Sequence, residues 1–167
     1  MVTKSPIHIR RNVESYTDPY IDEECLSDNT KCTRCGSVYA SGRWYLKDQA
    51  PVMAFGPIKH ETICPACKKQ RDRQAGGIVT LKGAFIDKHR IEILNLIRNQ
   101  TSKAENVNPL ERIMDIQSRE GEIVITTTNE KLAQRIGRAL HKAYRGTVEY
   151  RFSADIKLAR VNWQREA

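Results

Sequence analysis

Four cysteines of this chain form two pairs, and each pair has two residues between its cysteines. CTRC runs from Cys32 to Cys35, and CPAC runs from Cys64 to Cys67. Structural zinc sites bind four thiolates in a tetrahedron, and each CxxC turn can supply two of them. The sequence therefore predicts a closed, structural zinc site with these four cysteines as ligands.

Other uses of the cysteines remain open. A thioredoxin-like redox pair needs only one CxxC, and iron–sulfur clusters also bind cysteine thiolates. His60, four residues before Cys64, could replace one cysteine on the metal. The fifth cysteine, Cys25, lies in an acidic segment and is predicted to be a bystander. The N-terminal segment lacks the apolar stretch of a secretory signal, so the predicted location is cytoplasmic. In that reducing compartment, an odd number of cysteines with two CxxC pairs favours metal binding over disulfides.

The sequence predicts that the chain has three parts, one of which contains the two cysteine pairs. Residues 1–30 are polar, end in an acidic stretch, and are expected to be a flexible acidic arm. Residues 31–75 contain the cysteine pairs and are expected to form a zinc-ribbon lobe. The 28 residues between the pairs leave room for a hairpin within that lobe. Residues 76–167 alternate between strand-like and helix-like patterns and are expected to form an α+β sheet domain.

The sheet domain is predicted to be ferredoxin-like. Apolar periodicity, turn residues and helix-capping signals predict strands at 77–83, 110–120, 121–128, 147–153 and 157–164, and helices at 84–106 and from about Glu130 to Gly146. Thr127 and Glu130 have the spacing of a capping box. The order is βαββαβ with an extra C-terminal strand, which predicts an antiparallel sheet with both helices on one face. Gly137 interrupts the second helix, which suggests a close approach to the sheet or a ligand.

Positive charge is concentrated in the middle of the chain. The net charge is +8, made up of −3 over residues 1–30, +8 over 31–90 and +3 over 91–167. A concentrated positive region is typical of proteins that bind a polyanion, and in the cytosol this is mostly nucleic acid. A charge that serves only solubility remains the alternative. No run approaches the roughly 18–20 apolar residues of a membrane-spanning helix, so no membrane partner is expected.

Two surfaces are predicted to contact RNA, because aromatic side chains stack on unpaired bases and cations bind phosphates. The first lies in the zinc lobe and consists of Arg43, Trp44, Lys68, Lys69, Arg71 and Arg73. The second, here called the cationic ridge, consists of Lys131, Arg135, Arg138, Lys142 and Arg145. At 100° per residue the ridge positions share one helix face, and a solvated face would normally mix charges of both signs.

Alternatives remain for each surface. Trp44 and Tyr45 could pack the zinc lobe against the sheet domain rather than stack on bases, and residues 68–73 could be a solvated linker. The cationic ridge could be an ordinary solvated helix face.

The chain has no GxxxxGK[ST], GxSxG or HExxH motif and no paired carboxylates with catalytic spacing. The protein is therefore predicted not to be an enzyme, and no small-molecule substrate is evident.

Several motifs resemble those of a family of small bacterial proteins of largely uncharacterised function. The chain contains CTRCGSVYASGRW, HETICPACKKQRDRQAGGIVTLKGAF and TTTNEKLAQRIGRALHKAYRG. That family shares the patterns DPY, CxxCGxVYxxGRW, HExxCPAC and TTTxxxLAxRIGxAL. Its zinc lobe is more distantly similar to the export adaptor of the large ribosomal subunit, of the nonsense-mediated-decay-three type. The resemblance implies association with the ribosome or ribosomal RNA.

Taken together, the residues and the resemblance predict a zinc-stabilised RNA-binding protein associated with ribosomes or rRNA. Ribosome assembly, quality control or dormancy are the processes that the resemblance implies. One rival is a zinc-ribbon transcription module that binds DNA or RNA polymerase. Another is a small enzyme with a pocket in the sheet domain.

Overall fold

The computed structural model of the protein describes residues 20, 26–49, 56–153 and 156–167. The arm at residues 1–30 lies outside the described residues except for Tyr20 and 26–30, and Cys25 lies outside them altogether. The strands are β1 (Thr30–Cys32), β2 (Val38–Ala40), β3 (Arg43–Tyr45), β4 (His60–Thr62), β5 (Gly77–Lys82), β6 (Ile113–Arg119), β7 (Glu122–Thr127), β8 (Thr147–Phe152) and β9 (Ala159–Gln164). The helices are α1 (Pro65–Asp72), α2 (Ala84–Val107) and α3 (Glu130–Tyr144).

The cysteine lobe, residues 26–49 and 56–73, contains a small sheet with strand order β3-β2-β1-β4. β2 pairs antiparallel with β3, which is the hairpin expected between the cysteine pairs. β4 pairs parallel with β1 and places the second cysteine pair next to the first. Residues 68–73 were expected to be a phosphate-contacting strip or a solvated linker, and all of them except Arg73 lie in α1.

The large sheet of residues 76–153 and 156–167, the sheet domain, has strand order β6-β7-β5-β9-β8. The expected sequence of strands and helices is confirmed, but the expected antiparallel sheet is not. β9 lies between β5 and β8, and it pairs parallel with β5 from Gly77↔Ala159 to Lys82↔Gln164. The sheet is therefore mixed, because the last strand pairs next to the first one and leaves β8 at the edge.

The core of the sheet domain lies on one face of the large sheet. Every second residue of β5, β7 and β9 is buried, as expected for strands with one covered face. Val79, Ile125, Val161 and Trp163 pack there with apolar side chains of α2 and α3. The opposite face is formed by intermediate and exposed residues of the same strands. Both helices therefore cover the same face, as the sequence predicted.

Helix α3 lies close against the sheet at Gly137. A Cβ atom at this position would lie 2.6 Å from the Val161 Cγ1 atom and 3.2 Å from the Tyr150 ring. The glycine thus permits the close approach expected from the sequence. The N-cap differs from the expected capping box, because the Asn129 side chain accepts the Leu132 N–H at 3.0 Å. Thr127 instead ends β7, and its hydroxyl donates to the Asn129 carbonyl.

Candidate metal centre

The four predicted ligands come together in the cysteine lobe. The Sγ atoms of Cys32, Cys35, Cys64 and Cys67 all lie within 4.8 Å of one another. Four sulfurs in a tetrahedron at about 2.3 Å from one ion would lie about 3.8 Å apart. The Cys35 and Cys64 sulfurs are 3.8 Å apart, and all four thiols are free of disulfide bonds. The cluster therefore fits a single four-coordinate ion, which the cysteine spacing predicted.

Local backbone structure explains how each pair points its sulfurs inward. Gly36 follows the first pair with φ of 78°, and its N–H donates to the Cys32 carbonyl at 3.0 Å, which closes a tight turn. Cys64 is the N-cap of α1, and Pro65 occupies the first turn, where its missing N–H costs nothing. The Cys64 N–H donates to the Cys32 sulfur at 3.3 Å and joins the two turns.

The electrostatics of the cluster favour a bound cation. The hydrogen bond with the Cys64 sulfur, followed by contacts with Ser37, lowers the pKa of Cys35 to about 3. The same shared hydrogen bond and burial raise the pKa of Cys64, and burial raises the pKa of Cys67. A proton held between two sulfurs produces these opposite directions, since adjacent thiolates repel each other. A divalent ion relieves this repulsion and allows all four thiolates to form.

A residue of the sheet domain completes the surroundings of the sulfurs. Arg112 lies just before β6, and its guanidinium donates to the sulfurs of Cys35 at 3.1 Å, Cys67 at 3.3 Å and Cys64 at 3.7 Å. Burial alone would lower the pKa of Arg112, but the adjacent sulfurs of Cys67 and Cys35 raise it, so the side chain is a permanent cation. Sequence analysis missed this residue, because nothing in the local pattern ERIMDI links it to cysteines far away in the chain.

Trp44 was predicted to contact RNA, and the structure places it inside the lobe. Its side chain is only 5% exposed and packs with Cys32, Cys64 and Cys67. The Tyr39 ring meets it edge to face with ring centres 5.5 Å apart. A small metal lobe has little apolar surface, so a buried indole supplies much of its core. This burial favours a packing role for Trp44 within the core of the lobe over stacking on a base.

Lys69 is also removed from the predicted RNA-contacting surface. It lies on the inner side of α1, is 8% exposed, and donates through Nζ to the Thr128 carbonyl at 2.9 Å. The remaining cations of the first surface are accessible to different degrees. Arg71 and Arg73 are exposed, and Lys68 is half-buried. Arg71 forms an ion pair with Asp72 at 2.7 Å, which reduces the net positive charge that Arg71 adds to this surface.

Arg43 lies on a different side of the lobe from α1. It is exposed in the edge strand β3, with its guanidinium 4.6 Å from the centre of the Tyr45 ring. The same guanidinium donates to the Val107 carbonyl at the end of α2. Arg43 thus bridges the cysteine lobe and the sheet domain while keeping an exposed face.

Four residues of the cationic ridge lie on α3, whereas Arg145, which was predicted to share their helix face, is the non-helical C-cap with φ of 58°. Lys131, Arg138, Lys142 and Arg145 are exposed, whereas Arg135 is half-buried and donates through Nε to the Gln100 Oε1 atom at 3.1 Å. Within the described ranges, no carboxylate forms an ion pair with any of the five. The buried positions of α3, such as Leu132, Ile136 and Leu140, face the core, as the helix periodicity predicted.

A cavity of about 130 Å³ lies between α1 and the start of α3. It is lined by Lys69 of α1, Lys131 of α3 and Lys157, which precedes β9. Glu130 also lines it and offsets part of the positive charge. The cavity places Lys131, the first residue of the cationic ridge, next to α1 of the cysteine lobe.

A second cavity, of about 300 Å³, lies on the open face of the large sheet. Its lining is polar and includes Thr80, Glu149 and Asn162. No helix in the described ranges is both long and apolar enough to cross a membrane.

Comparison with protein-family models, with curated proteins and with solved structures finds no match to this chain. The resemblance to the bacterial family and to the ribosomal export adaptor therefore stays a prediction.

Proposed function

We propose that the protein is a bacterial, cytoplasmic, non-enzymatic RNA-binding protein that is stabilised by zinc and associates with ribosomes or rRNA. The observation that carries the RNA part is the cationic ridge, which has no carboxylate partner among the described residues. Assembly, quality control or dormancy of ribosomes are the processes in which such a factor would act.

Zinc is the proposed metal because of the donor set. Four thiolates in one closed cluster are typical of structural zinc sites and leave no open position for substrate or water. Soft thiolate ligands also disfavour magnesium and calcium, which prefer oxygen. The ion would fold a lobe whose other buried apolar side chains, among the described residues, are only Trp44, Ala66, Val38 and Ala40.

A nucleic acid is the proposed partner because of the arrangement of charge. A solvated helix normally gains stability from i,i+4 pairs of opposite charge, whereas Arg138 and Lys142 are like charges with that spacing. Phosphate groups would relieve this repulsion and release counterions from the nucleic acid. The exposed Arg43, stacked on Tyr45, adds a planar cationic surface of the kind that unpaired bases favour.

The test is co-sedimentation of the native protein with ribosomes on sucrose gradients at low and high salt, from growing and stationary cells. We expect the wild type to travel with ribosomes or one subunit at low salt and to be released at high salt. The variant Arg138→Gln/Lys142→Gln should remain near the top of the gradient. A wild-type protein that stays at the top in every condition would contradict ribosome association.

Two further assays separate the rivals. Competition between rRNA and duplex DNA for the purified protein distinguishes RNA binding from a transcription role, and stronger competition by duplex DNA would favour the latter. Screening small molecules for a rise in melting temperature tests the enzyme alternative, because a ligand that binds only the folded state stabilises it. A large rise that Asn162→Ala removes would place a ligand on the open sheet face.

A further inference from the structure

Arg112 is the one described residue of the sheet domain whose side chain donates hydrogen bonds to the cysteine sulfurs. We propose that Arg112 is a positioning residue of the metal centre, and that through it metal binding holds the sheet domain against the cysteine lobe. This inference rests on the metal part of the proposed function and is independent of the RNA part.

The guanidinium of Arg112 is fixed by its own chain segment before it reaches the sulfurs. Its Nε donates to the Pro109 carbonyl at 2.6 Å. The Arg112 N–H donates to the Thr128 Oγ1 atom at 2.9 Å, and the Thr128 N–H donates to the Arg112 carbonyl at 2.9 Å. These bonds fix both the backbone of Arg112 and its Nε atom. The two terminal nitrogens therefore already point at the sulfurs, and little more side-chain entropy is lost when they bind.

Charge explains why the contact depends on the metal. Four thiolates around a divalent ion carry a formal charge of −2, and a buried excess of charge is costly unless it is paired. The Arg112 guanidinium removes one unit of that charge and binds the sulfurs through charge-assisted hydrogen bonds. The ion also fixes the positions of the four sulfurs, so without it the terminal nitrogens of Arg112 lose the ordered acceptors that they contact here.

The other contacts between the lobes lie around the same point. Lys69 of α1 donates to the Thr128 carbonyl, and Leu110 packs against the cluster that contains the cysteines and Trp44. Arg43 reaches the Val107 carbonyl a few residues earlier. Among the described residues, residues 107–112 and Thr128 therefore form a joint between the lobes, with Arg112 directly on the sulfurs. Loss of the ion would loosen this joint, not only the lobe.

The first measurement is the rate at which zinc passes from the protein to a chromophoric chelator. We compare the wild type, Arg112→Gln, Arg112→Lys and the control Arg98→Gln, whose arginine is exposed on α2. Loss of an outer partner of a metal ligand typically weakens metal binding by about 10–100-fold. Arg112→Gln should release zinc faster by a factor in that range, Arg112→Lys by less, and Arg98→Gln at the wild-type rate.

The second measurement reports on the joint itself. In the wild type, hydrogen exchange at residues 107–112 and Thr128 should be slow with zinc and fast after chelation. In Arg112→Gln these amides should exchange fast even when zinc is bound. With cobalt in place of zinc, Arg112→Gln should also shift the thiolate-to-metal charge-transfer band to longer wavelength, since hydrogen bonds to a thiolate lower the energy of its electrons. Arg98→Gln should behave as the wild type in both assays.

The outcomes are separable. Two results together would overturn the role of Arg112 while leaving the metal site intact. Arg112→Gln would release zinc within twofold of the wild-type rate, and hydrogen exchange at residues 107–112 would be the same with and without zinc. A wild-type protein that binds no metal would overturn the metal part of the proposed function as well. Failure to bind RNA, with the expected zinc and exchange results, would overturn only the RNA part.

Discussion

Replacing two exposed cations of the ridge tests the RNA interface quantitatively. Arg138 and Lys142 are exposed on α3, and their charges have no carboxylate partner among the described residues. The substitution Arg138→Gln/Lys142→Gln keeps side-chain length and polarity similar and removes two positive charges. The matched control is Lys82→Gln, which removes an exposed lysine on the open face of the sheet, where it is paired with Glu122 at 3.6 Å.

The expected effect follows from the number of phosphate contacts. Each contact with a single strand contributes about −0.7 to the slope of log affinity against log salt. With four exposed ridge cations in contact, the ridge alone contributes a slope of about −2.8, and the variant retains about −1.4. Between 50 and 200 mM salt, these slopes correspond to losses of affinity of about 50-fold for the wild type and about 7-fold for the variant.

Fluorescence anisotropy with a labelled single-stranded RNA over that salt range measures both slopes. The variant should not melt at a lower temperature, since removing the like-charged i,i+4 pair stabilises the helix by a few tenths of a kcal/mol. Lys82→Gln should match the wild-type slope. A wild-type slope retained by the double variant would refute the ridge as a phosphate-binding surface, and an equal change in the Lys82→Gln control would indicate a nonspecific charge effect.

Three further results are expected. The wild type should contain one zinc ion per chain by elemental analysis, and Cys64→Ser should contain much less and be cleaved by chymotrypsin within residues 31–75; full zinc content in the variant would contradict the ligand assignment. Trp163→Ala removes a side chain that is 1% exposed in the core, so chemical denaturation should show a loss of about 3–5 kcal/mol, whereas a loss below about 1 kcal/mol would contradict that packing. The Gly121 N–H and then Arg90 lower the pKa of Asp87. The ionised carboxylate therefore stabilises the folded state at neutral pH, and this stabilisation disappears as the pH falls below about 4. Asp87→Asn should therefore melt below the wild type at pH 7, and the two melting temperatures should converge in acid; a constant difference would exclude the carboxylate charge as the cause.

Local patterns were sufficient to predict the elements of the sheet domain. The apolar stripe of α3 and the alternation in β8 and β9 are properties of short segments, and the structure confirms each of them. The cysteine cluster was also predictable, because ligand spacing within each CxxC turn is local and four thiolates have few other uses. Gly137 carried a further signal, since a glycine in a helix is destabilising unless space requires it.

Features that depend on distant residues were not predictable in this way. The pairing of β5 with β9 joins segments about 80 residues apart, and the same element order is compatible with a different sheet. The contact of Arg112 with the sulfurs likewise depends on how the two parts of the chain pack. Trp44 and Lys69 looked accessible because their neighbours are polar, but their burial follows from packing in the cysteine lobe and against the sheet domain.

The position of β9 has a consequence for the protein during its synthesis. β5, β6 and β7 are translated before β9, and until β9 arrives one edge of the central strand β5 has no partner. An open edge of an apolar strand is a template for pairing with other chains. In a nascent or interrupted chain that ends before Ala159, the exposed edge is therefore that of the central strand β5, which is an interior strand of the complete sheet. Incomplete copies should aggregate or be degraded, and folding of the sheet domain is completed only after its last strand has been made.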